Sequence, residues 1–291
     1  MTGSTDHVTG PTDRAPRPVR VYHVVDAATG LPDDAPVVVL SNSLGSTYAM
    51  WDRQVSELSR SFRVVRYDTR GHGQSPVPDG PYVLDDLVDD VVALLDELGV
   101  QRAHFVGLSL GGMTGLRLAA LSPERVDRLV VLCTSALLGP SQAWHTRAAM
   151  VRQEGTSAVA EAVVGRWYTT SFAASEPARV LAARLMVAAT PAEGYASCCE
   201  AIATMDLTQD LAHISAPTLA IAGAEDNATP PYHLERIASG VRQGRLLVVP
   251  KAAHLANDEQ PQVVTRALLE HLTGDLPNAA RAHGIRTVGL R

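Results

Sequence analysis

The hydrophobic pattern of the chain alternates between short apolar runs and longer amphipathic stretches. Residues 37–40 are four consecutive apolar side chains, Val-Val-Val-Leu, which is typical of a strand buried on both faces of a parallel sheet. Apolar residues recur at steps of three and four over residues 83–98, which predicts an amphipathic helix. Further strands are predicted over residues 19–25, 62–67, 104–108, 126–133, 218–222 and 246–249. This alternation of strands and helices predicts an α/β fold with a mostly parallel central sheet.

The helical pattern changes character in the middle of the chain. Between about residues 137 and 205 strand signals disappear, and alanine-rich helical segments such as 157–168 and 176–188 replace them. Other helices are predicted over residues 47–59 (with Ser46 as its cap), 110–121, 232–239 and 261–272. We therefore predict a sheet domain formed by residues 19–136 and 206–273, into which a helical cap, residues 137–205, is inserted.

The two ends of the chain differ in composition from this alternating region. Residues 1–18 are rich in Thr, Gly, Asp and Pro and contain no apolar segment of a secretory signal, so a disordered tail is expected. Residues 274–291 are expected to form a polar tail. No apolar run reaches the roughly 18 residues that a membrane-spanning helix needs, so no membrane association is expected.

Charge and cysteine content argue against nucleic-acid binding and against a disulfide-linked fold. The chain has 25 Lys and Arg against 31 Asp and Glu, a net charge of -6, and no basic tract that would bind nucleic acid. Cys133, Cys198 and Cys199 make a poor disulfide framework, so reduced thiols in a cytoplasmic protein are expected. No ligand spacing predicts a metal or cofactor. The four acids at 85, 86, 89 and 90 lie on the predicted helix over residues 83–98, and we interpret them as its solvated face. The sequence does not determine the oligomeric state, and a homo-oligomer is possible.

One motif indicates nucleophilic catalysis. Residues 107–111 read Gly-Leu-Ser-Leu-Gly and match the G-x-S-x-G turn, which joins a strand to a helix and holds its serine in a strained conformation. Here the motif lies between an apolar strand and a helix, as that turn requires. Ser109 is therefore the predicted nucleophile, exposed above the carboxyl end of the sheet.

A serine alcohol needs a base, and the base needs a carboxylate. His254 follows the last predicted strand of the sheet, and Asp226 follows the strand over residues 218–222. The order serine, acid, histidine is that of α/β-hydrolases. Glu225 is a rival for the acid, although the shorter Asp226 fits the turn better.

The tetrahedral intermediate needs N–H donors for its oxyanion. The backbone N–H of Leu110, directly after the nucleophile, is one predicted donor. The loop Ser-Asn-Ser-Leu-Gly at residues 41–45 follows a strand at the same edge of the sheet, and its register makes Leu44 the second donor. Asn42 and Ser43 are candidates for substrate contact, with a brace for the loop as the other interpretation of Asn42.

These motifs together resemble the 3-oxoadipate enol-lactonases, which are α/β-hydrolases. The resemblance covers about residues 19–273. It rests on the loop at 41–45, Tyr-Asp-Thr-Arg-Gly-His-Gly at 67–73, the serine motif at 107–112, Gly-Arg-Trp-Tyr at 165–168, Gly-Tyr-Ala-Ser-Cys-Cys-Glu-Ala-Ile at 194–202, and Ala-Ala-His-Leu-Ala-Asn at 252–257. It implies hydrolysis of an enol-lactone to 3-oxoadipate through an acyl-enzyme on Ser109.

A substrate of that kind is a small anion, so a cationic partner is expected in the cap. Arg147, close to Trp144, is the first candidate for the carboxylate, and Arg166, beside Trp167, is the second. The two tryptophans are expected to line the pocket or to pack the cap. Two other functions stay open: a carboxylesterase or C–C bond hydrolase of the same fold, and a ligand-binding receptor on a hydrolase scaffold.

Overall fold

The computed structural model describes residues 18–274 and 285–286 of the chain. Within these residues one eight-stranded sheet forms, in the order β1-β3-β2-β4-β5-β6-β7-β8. Its strands are β1 (His23–Asp26), β2 (Val37–Ser41), β3 (Arg63–Tyr67), β4 (Ala103–Leu108), β5 (Val126–Leu132), β6 (Thr218–Gly223), β7 (Gly244–Val249) and β8 (Ile285–Arg286). The edge strands β1 and β8 are antiparallel to their neighbours, and all other pairs are parallel.

The helices of the described residues are α1 (Asp52–Leu58), α2 (Leu84–Glu97), α3 (Leu110–Leu121), α4 (Ser141–Glu154), α5 (Ser157–Val164), α6 (Thr170–Ser175), α7 (Pro177–Ala188), α8 (Ala192–Thr204), α9 (Pro231–Gly240), α10 (Ala256–Glu259) and α11 (Pro261–Thr273). Every residue of β2, β4 and β6 is buried. Interior parallel strands are covered on both faces, which explains why their sequences are mostly apolar. The prediction of an α/β fold with a mostly parallel sheet is confirmed.

Helices α4 to α8 lie between β5 and β6 in the chain and form the cap. Helix α4 packs against α8, and α5 packs against α7. Arg152 joins the first pair, because its guanidinium bonds Glu193 at 2.8 Å and Glu200 at 2.6 Å. Helix α8 also contacts the sheet domain, where the backbones at Gly71 and Gly194 approach each other closely. A Cβ on Gly71 would lie 2.4 Å from the Cα of Gly194, so this contact requires glycine at both positions.

Local patterns were wrong at several element boundaries. The helix predicted over residues 157–168 ends at Val164 and is followed by a turn. The strand predicted from residue 19 begins at His23, because the Val19 N–H donates to the Asp90 carboxylate at 2.7 Å instead of to a neighbouring strand. Ser46 does not cap the helix predicted over residues 47–59. Its hydroxyl donates to the Ser43 carbonyl, and a short 3₁₀ turn (Tyr48–Trp51) precedes α1.

The acids of α2 are not all solvated, which corrects the interpretation of this helix. Asp90 is buried and accepts two hydrogen bonds of 2.6 Å from Arg70, and Asp86 lies beside the same guanidinium. Burial opposes the charge of the Asp90 carboxylate and raises its pKa, although the bonds from Arg70 act in the opposite direction. This buried ion pair holds the loop after β3 against α2.

The predicted terminal tails fall mainly outside the described residues. Residues 1–17, 275–284 and 287–291 are not described, whereas Ile285–Arg286 pairs with β7 as an edge strand that the sequence pattern did not predict. In the described part of the chain, no helix combines the length and the apolar character that crossing a bilayer requires.

Candidate active site

Ser109 lies in a strained turn between β4 and α3. Its backbone has φ 55° and ψ −114°, a conformation that costs a non-glycine residue free energy. A Cβ on Gly107 would lie 2.1 Å from the Gly111 carbonyl oxygen, and one on Gly111 would lie 2.3 Å from that of Ser41. Both glycines are therefore required for the turn to close. The close packing around them holds Ser109 in its strained backbone conformation.

Asp226 and His254 follow β6 and β7, at the same edge of the sheet as Ser109. The Nδ1 atom of His254 lies 2.8 Å from Oδ2 of Asp226. Asp226 also accepts from the backbone N–H groups of Ala228 and Thr229 and from the Thr229 hydroxyl, at 2.7–3.0 Å. Burial alone would raise the pKa of this carboxyl, but the charge and hydrogen bond of His254, together with Thr229, lower it to about 2. At neutral pH Asp226 is ionised, so it holds the proton of the neutral ring on Nδ1 and leaves Nε2 able to accept a proton.

Ser109 and His254 line one cavity of about 270 Å³. The described residues contain no hydrogen bond between the Ser109 hydroxyl and the His254 ring. Catalytic hydrogen bonds are often long without substrate and shorten when it binds, so the shared cavity is the relevant observation. The two side chains face the same space, with Asp226 behind the histidine.

The two predicted oxyanion donors border Ser109 in different ways, since Leu110 follows it in the chain and Leu44 lines the same cavity. The N–H groups of Leu44 and Leu110 have no hydrogen-bond partner among the residues described. The N–H of Gly111 donates to the Asn42 carbonyl at 2.9 Å, which holds the loop after β2 against the start of α3. Donors left unpaired beside a nucleophile are suited to a developing oxyanion.

The two polar side chains of the loop after β2 have different positions. Ser43 lines the cavity. Asn42 is fully buried and does not line it, because its amide donates to the Tyr67 carbonyl at 2.6 Å and accepts from Trp51 at 3.1 Å. The prediction that Asn42 contacts substrate is corrected accordingly, and its position is that of a brace.

All four cap residues that the sequence selected line the same cavity: Trp144, Arg147, Arg166 and Trp167. The Arg147 guanidinium lies over the Trp144 ring, 4.6 Å from its centroid. Partial burial and the nearby charge of Arg147 lower the pKa of Arg166. Neither arginine forms a salt bridge within residues 18–274, although the charge of Asp226 acts on Arg166 and opposes the lowering of its pKa.

Several functional positions were missed by sequence reasoning. Tyr195 of α8 lines the cavity, and its buried hydroxyl has no hydrogen-bond partner of normal geometry among the described side chains. Thr229 supports Asp226 and lies 3.4 Å from the His254 ring. A hydroxyl three residues after the acid was a signal for Thr229, whereas Tyr195 belonged to the motif at 194–202, in which nothing indicated a place in the cavity.

The cysteines and the acids supply no additional site. Cys133, Cys198 and Cys199 are buried and unpaired. Burial raises the pKa of the Cys199 thiol to about 12, so this side chain is neutral. Within the described ranges no group of His, Cys, Asp and Glu side chains is arranged to hold a metal ion.

Comparison with known proteins places this geometry in a family. A model of the alpha/beta hydrolase fold matches residues 36–261. The chain belongs to the alpha/beta-hydrolase family. This hydrolase is 42% identical over 235 residues to 3-oxoadipate enol-lactonase 2 of Acinetobacter baylyi, which covers 81% of this chain and 88% of that protein.

Solved structures agree with this assignment. The enol-lactonase from Burkholderia xenovorans LB400 has a TM-score of 0.84 and 40% identity, covering 87% of this hydrolase and 96% of that chain. A thermophilic esterase from Thermogutta terrifontis, in a structure with bound malate, has a TM-score of 0.81 and 31% identity, covering 87% and 93%. The resemblance to enol-lactonases that the motifs indicated is confirmed.

Proposed function

We propose that this protein hydrolyses 3-oxoadipate enol-lactone to 3-oxoadipate. The observation that carries the proposal is one cavity that Ser109 and His254 line together with Arg147 and Arg166, two arginines that form no salt bridge within the described residues. An ester that also bears a carboxylate matches both parts of this cavity. The similarity to enol-lactonases at 40–42% identity supports the choice of lactone.

The first half of the reaction opens the lactone. The Ser109 oxygen attacks the lactone carbonyl while Nε2 of His254 takes the hydroxyl proton, and Asp226 stabilises the imidazolium that forms. The N–H groups of Leu44 and Leu110 bind the negative oxygen of the tetrahedral intermediate. Collapse breaks the ring C–O bond and releases an enolate, a better leaving group than an alkoxide. The enolate takes the proton that the His254 imidazolium gives up, directly or through solvent, and becomes a ketone, which leaves His254 neutral.

The second half releases the acyl group from Ser109. The imidazole of His254 removes a proton from water, which attacks the acyl-enzyme carbonyl, and the same two N–H groups bind the second oxyanion. Collapse returns the proton to the Ser109 oxygen and frees a carboxylate. One water is consumed, and one additional acid group is formed per turnover.

Substrate recognition is assigned to the cap. A guanidinium binds a carboxylate through two parallel hydrogen bonds, and such charged bonds are about twice as strong as neutral ones. Arg147 is held over Trp144, which orders its side chain before substrate arrives. The net charge of -6 on the whole chain does not favour an anion at long range, so this local pair of cations must supply the attraction.

A carboxylesterase is the second candidate, because the similar esterase of Thermogutta terrifontis shares 31% identity. The triad geometry does not separate esterase from lactonase, since both reactions pass through the same acyl-enzyme. A non-catalytic receptor is disfavoured, because it would not need unpaired N–H groups at Leu44 and Leu110 beside a serine. We also propose a cytoplasmic location, which the three unpaired cysteines support.

The direct test measures acid release at constant pH from purified protein and the enol-lactone, with mass spectrometry to detect addition of one water. We expect turnover by the wild-type protein and a loss of at least about 10⁴-fold in Ser109→Ala. Circular dichroism checks that the variant is folded. Equal rates for both proteins would remove Ser109 from the reaction, and turnover of simple esters but not of the lactone would favour the esterase.

A further inference from the structure

The loop of residues 41–46 holds its peptide groups through hydrogen bonds that the reaction itself does not use. The Ser43 carbonyl accepts two of them from Ser46, from the hydroxyl at 2.7 Å and from the backbone N–H at 3.2 Å. The Ser43 N–H donates to Sδ of Met50 at 3.3 Å, and the Gly45 N–H donates to Nε2 of His72 at 2.9 Å. Of the four N–H groups from residue 43 to residue 46, only that of Leu44 has no partner in the described structure.

The geometry of the peptide between Ser43 and Leu44 determines the direction in which the Leu44 N–H points. The Ser43 C=O and the Leu44 N–H belong to one planar trans peptide, in which the two bonds point in opposite directions. Ser46 is fully buried and does not line the cavity, so it holds the carbonyl on the interior side of the loop. The Leu44 N–H is thereby turned to the other side, toward the cavity that Leu44 lines together with Ser109.

His72 fixes the next peptide in the same way. Its ring is fully buried, and burial lowers the pKa of the imidazole to about 4, so it is neutral at neutral pH. Nδ1 lies 3.1 Å from the Arg70 carbonyl and must donate to it, which leaves Nε2 as an acceptor for the Gly45 N–H. Two consecutive peptides around Leu44 are therefore held by side chains.

We infer that Ser46 is a positioning residue for the oxyanion hole: its hydroxyl holds the 43–44 peptide so that the Leu44 N–H points at the oxygen that becomes negative. The inference rests on the proposed function only in requiring that Ser109 attack an ester carbonyl. Without the hydroxyl, the Ser43 carbonyl keeps only the longer bond from the Ser46 N–H. Gly45, at φ 79°, lets the loop rotate easily.

The consequence is a loss specific to the transition state. The oxyanion forms only after attack, so a misdirected Leu44 N–H lowers kcat and leaves KM unchanged. A serine that merely stabilises the fold would change neither constant. We expect kcat to fall about tenfold in Ser46→Ala, less than the loss caused by removing an oxyanion donor outright.

The experiment compares Ser46→Ala with Ser197→Ala, on both the enol-lactone and p-nitrophenyl acetate. Ser197 is an equally buried serine whose hydroxyl donates to Glu193 at 2.7 Å, away from the loop. We expect Ser197→Ala to keep kcat within about twofold on both substrates. A kcat for Ser46→Ala equal to that of Ser197→Ala, whatever its melting temperature, would overturn the inference.

A second measurement uses a boronic acid that forms a tetrahedral adduct with Ser109. Its inhibition constant should rise in Ser46→Ala by about the factor that kcat falls, while 3-oxoadipate, which forms no adduct, should bind as before. If both ligands weaken equally, the hydroxyl acts on the whole cavity and the inference is wrong.

Two further outcomes, a Ser46→Ala variant that does not fold and a wild-type protein that does not hydrolyse the lactone, have their own measurements. If Ser46→Ala does not fold, Ser46→Cys keeps the side-chain shape with a weaker donor, and its kcat should fall about threefold; unchanged kcat contradicts the inference. If the wild-type protein hydrolyses p-nitrophenyl acetate but not the lactone, the proposed substrate fails while Ser46 is still tested on the ester. Hydrolysis of neither would overturn both.

Discussion

The sheet edge and the cap place their functional groups by different means. At the sheet edge, Ser109, Asp226 and His254 each follow a parallel strand, and backbone geometry brings them together. In the cap, Arg147 extends from α4 and Arg166 from the turn after α5, and the position of Arg147 depends on its packing over the Trp144 ring. In the proposed reaction the sheet edge acts on the ester bond, and the cap selects the substrate.

The sheet edge carries the evidence for the type of reaction, whereas the cap carries the evidence for the substrate. A strained turn, a buried acid with a lowered pKa and unpaired N–H groups define ester hydrolysis whatever the substrate. The cap contacts the sheet domain next to His254, where the Leu255 N–H donates to the Trp167 carbonyl at 2.9 Å. Variants on either side should consequently change different kinetic constants.

The largest effect is expected for Asp226→Asn, with Glu225→Gln as its matched control. The amide cannot accept from Nδ1–H in the same way and favours the wrong histidine tautomer, so kcat should fall about 10⁴-fold. Glu225 is an exposed neighbour in the same turn, and its variant should stay within about twofold of wild type. Steady-state kinetics decide between the two acids, and a larger loss in the control would exchange their roles.

Arg147→Ala tests the cap side of the comparison. Loss of charged hydrogen bonds should raise KM for the anionic lactone about 30-fold and change KM for p-nitrophenyl acetate less than about threefold. Arg184→Ala, which removes a cap arginine that pairs with Glu161 and does not line the cavity, is the control. Equal losses on both substrates would exclude a role in carboxylate binding.

Glu259 joins the two regions, so its variant should affect both stability and rate. Its carboxylate accepts from the Ala253 N–H, next to His254, and from the backbone and hydroxyl of Thr169 in the cap. In Glu259→Gln an amide NH₂ replaces one acceptor, and we expect the melting temperature to fall by about 5 °C and kcat about threefold. Calorimetry and kinetics measure the two effects, and Glu235→Gln, on an exposed helix position, should change neither.

The smallest effect concerns the acid stability of the sheet edge. The folded state holds the pKa of Asp226 at about 2, below the usual value of about 3.9, so its ionised form stabilises the fold above pH 4. This contribution is lost as the pH falls from about 4 to 2. The difference in unfolding free energy between wild type and Asp226→Asn should shrink over that window in urea titrations. A constant difference from pH 6 to pH 2 would mean that the ionised carboxylate of Asp226 does not stabilise the fold.

The sequence by itself determined the fold class and selected the three side chains that the structure brings to one edge of the sheet. The apolar runs marked the parallel strands, and the residues after them, Ser109, Asp226 and His254, had to meet because the carboxyl ends of parallel strands share one edge of the sheet. Glycine at 107 and 111 specified the turn. Each of these signals is contained in a short stretch of chain.

Only the tertiary structure decided the contacts between residues far apart in the chain. The burial of Asp90 against Arg70, the bond of Glu259 to Thr169 and the place of Tyr195 in the cavity join elements whose packing no local period encodes. Even Ser46, predicted from its position as a helix cap, donates to the Ser43 carbonyl instead. A polar side chain can reach several hydrogen-bond partners along the local sequence. The folded structure decides which of these partners lies at bonding distance.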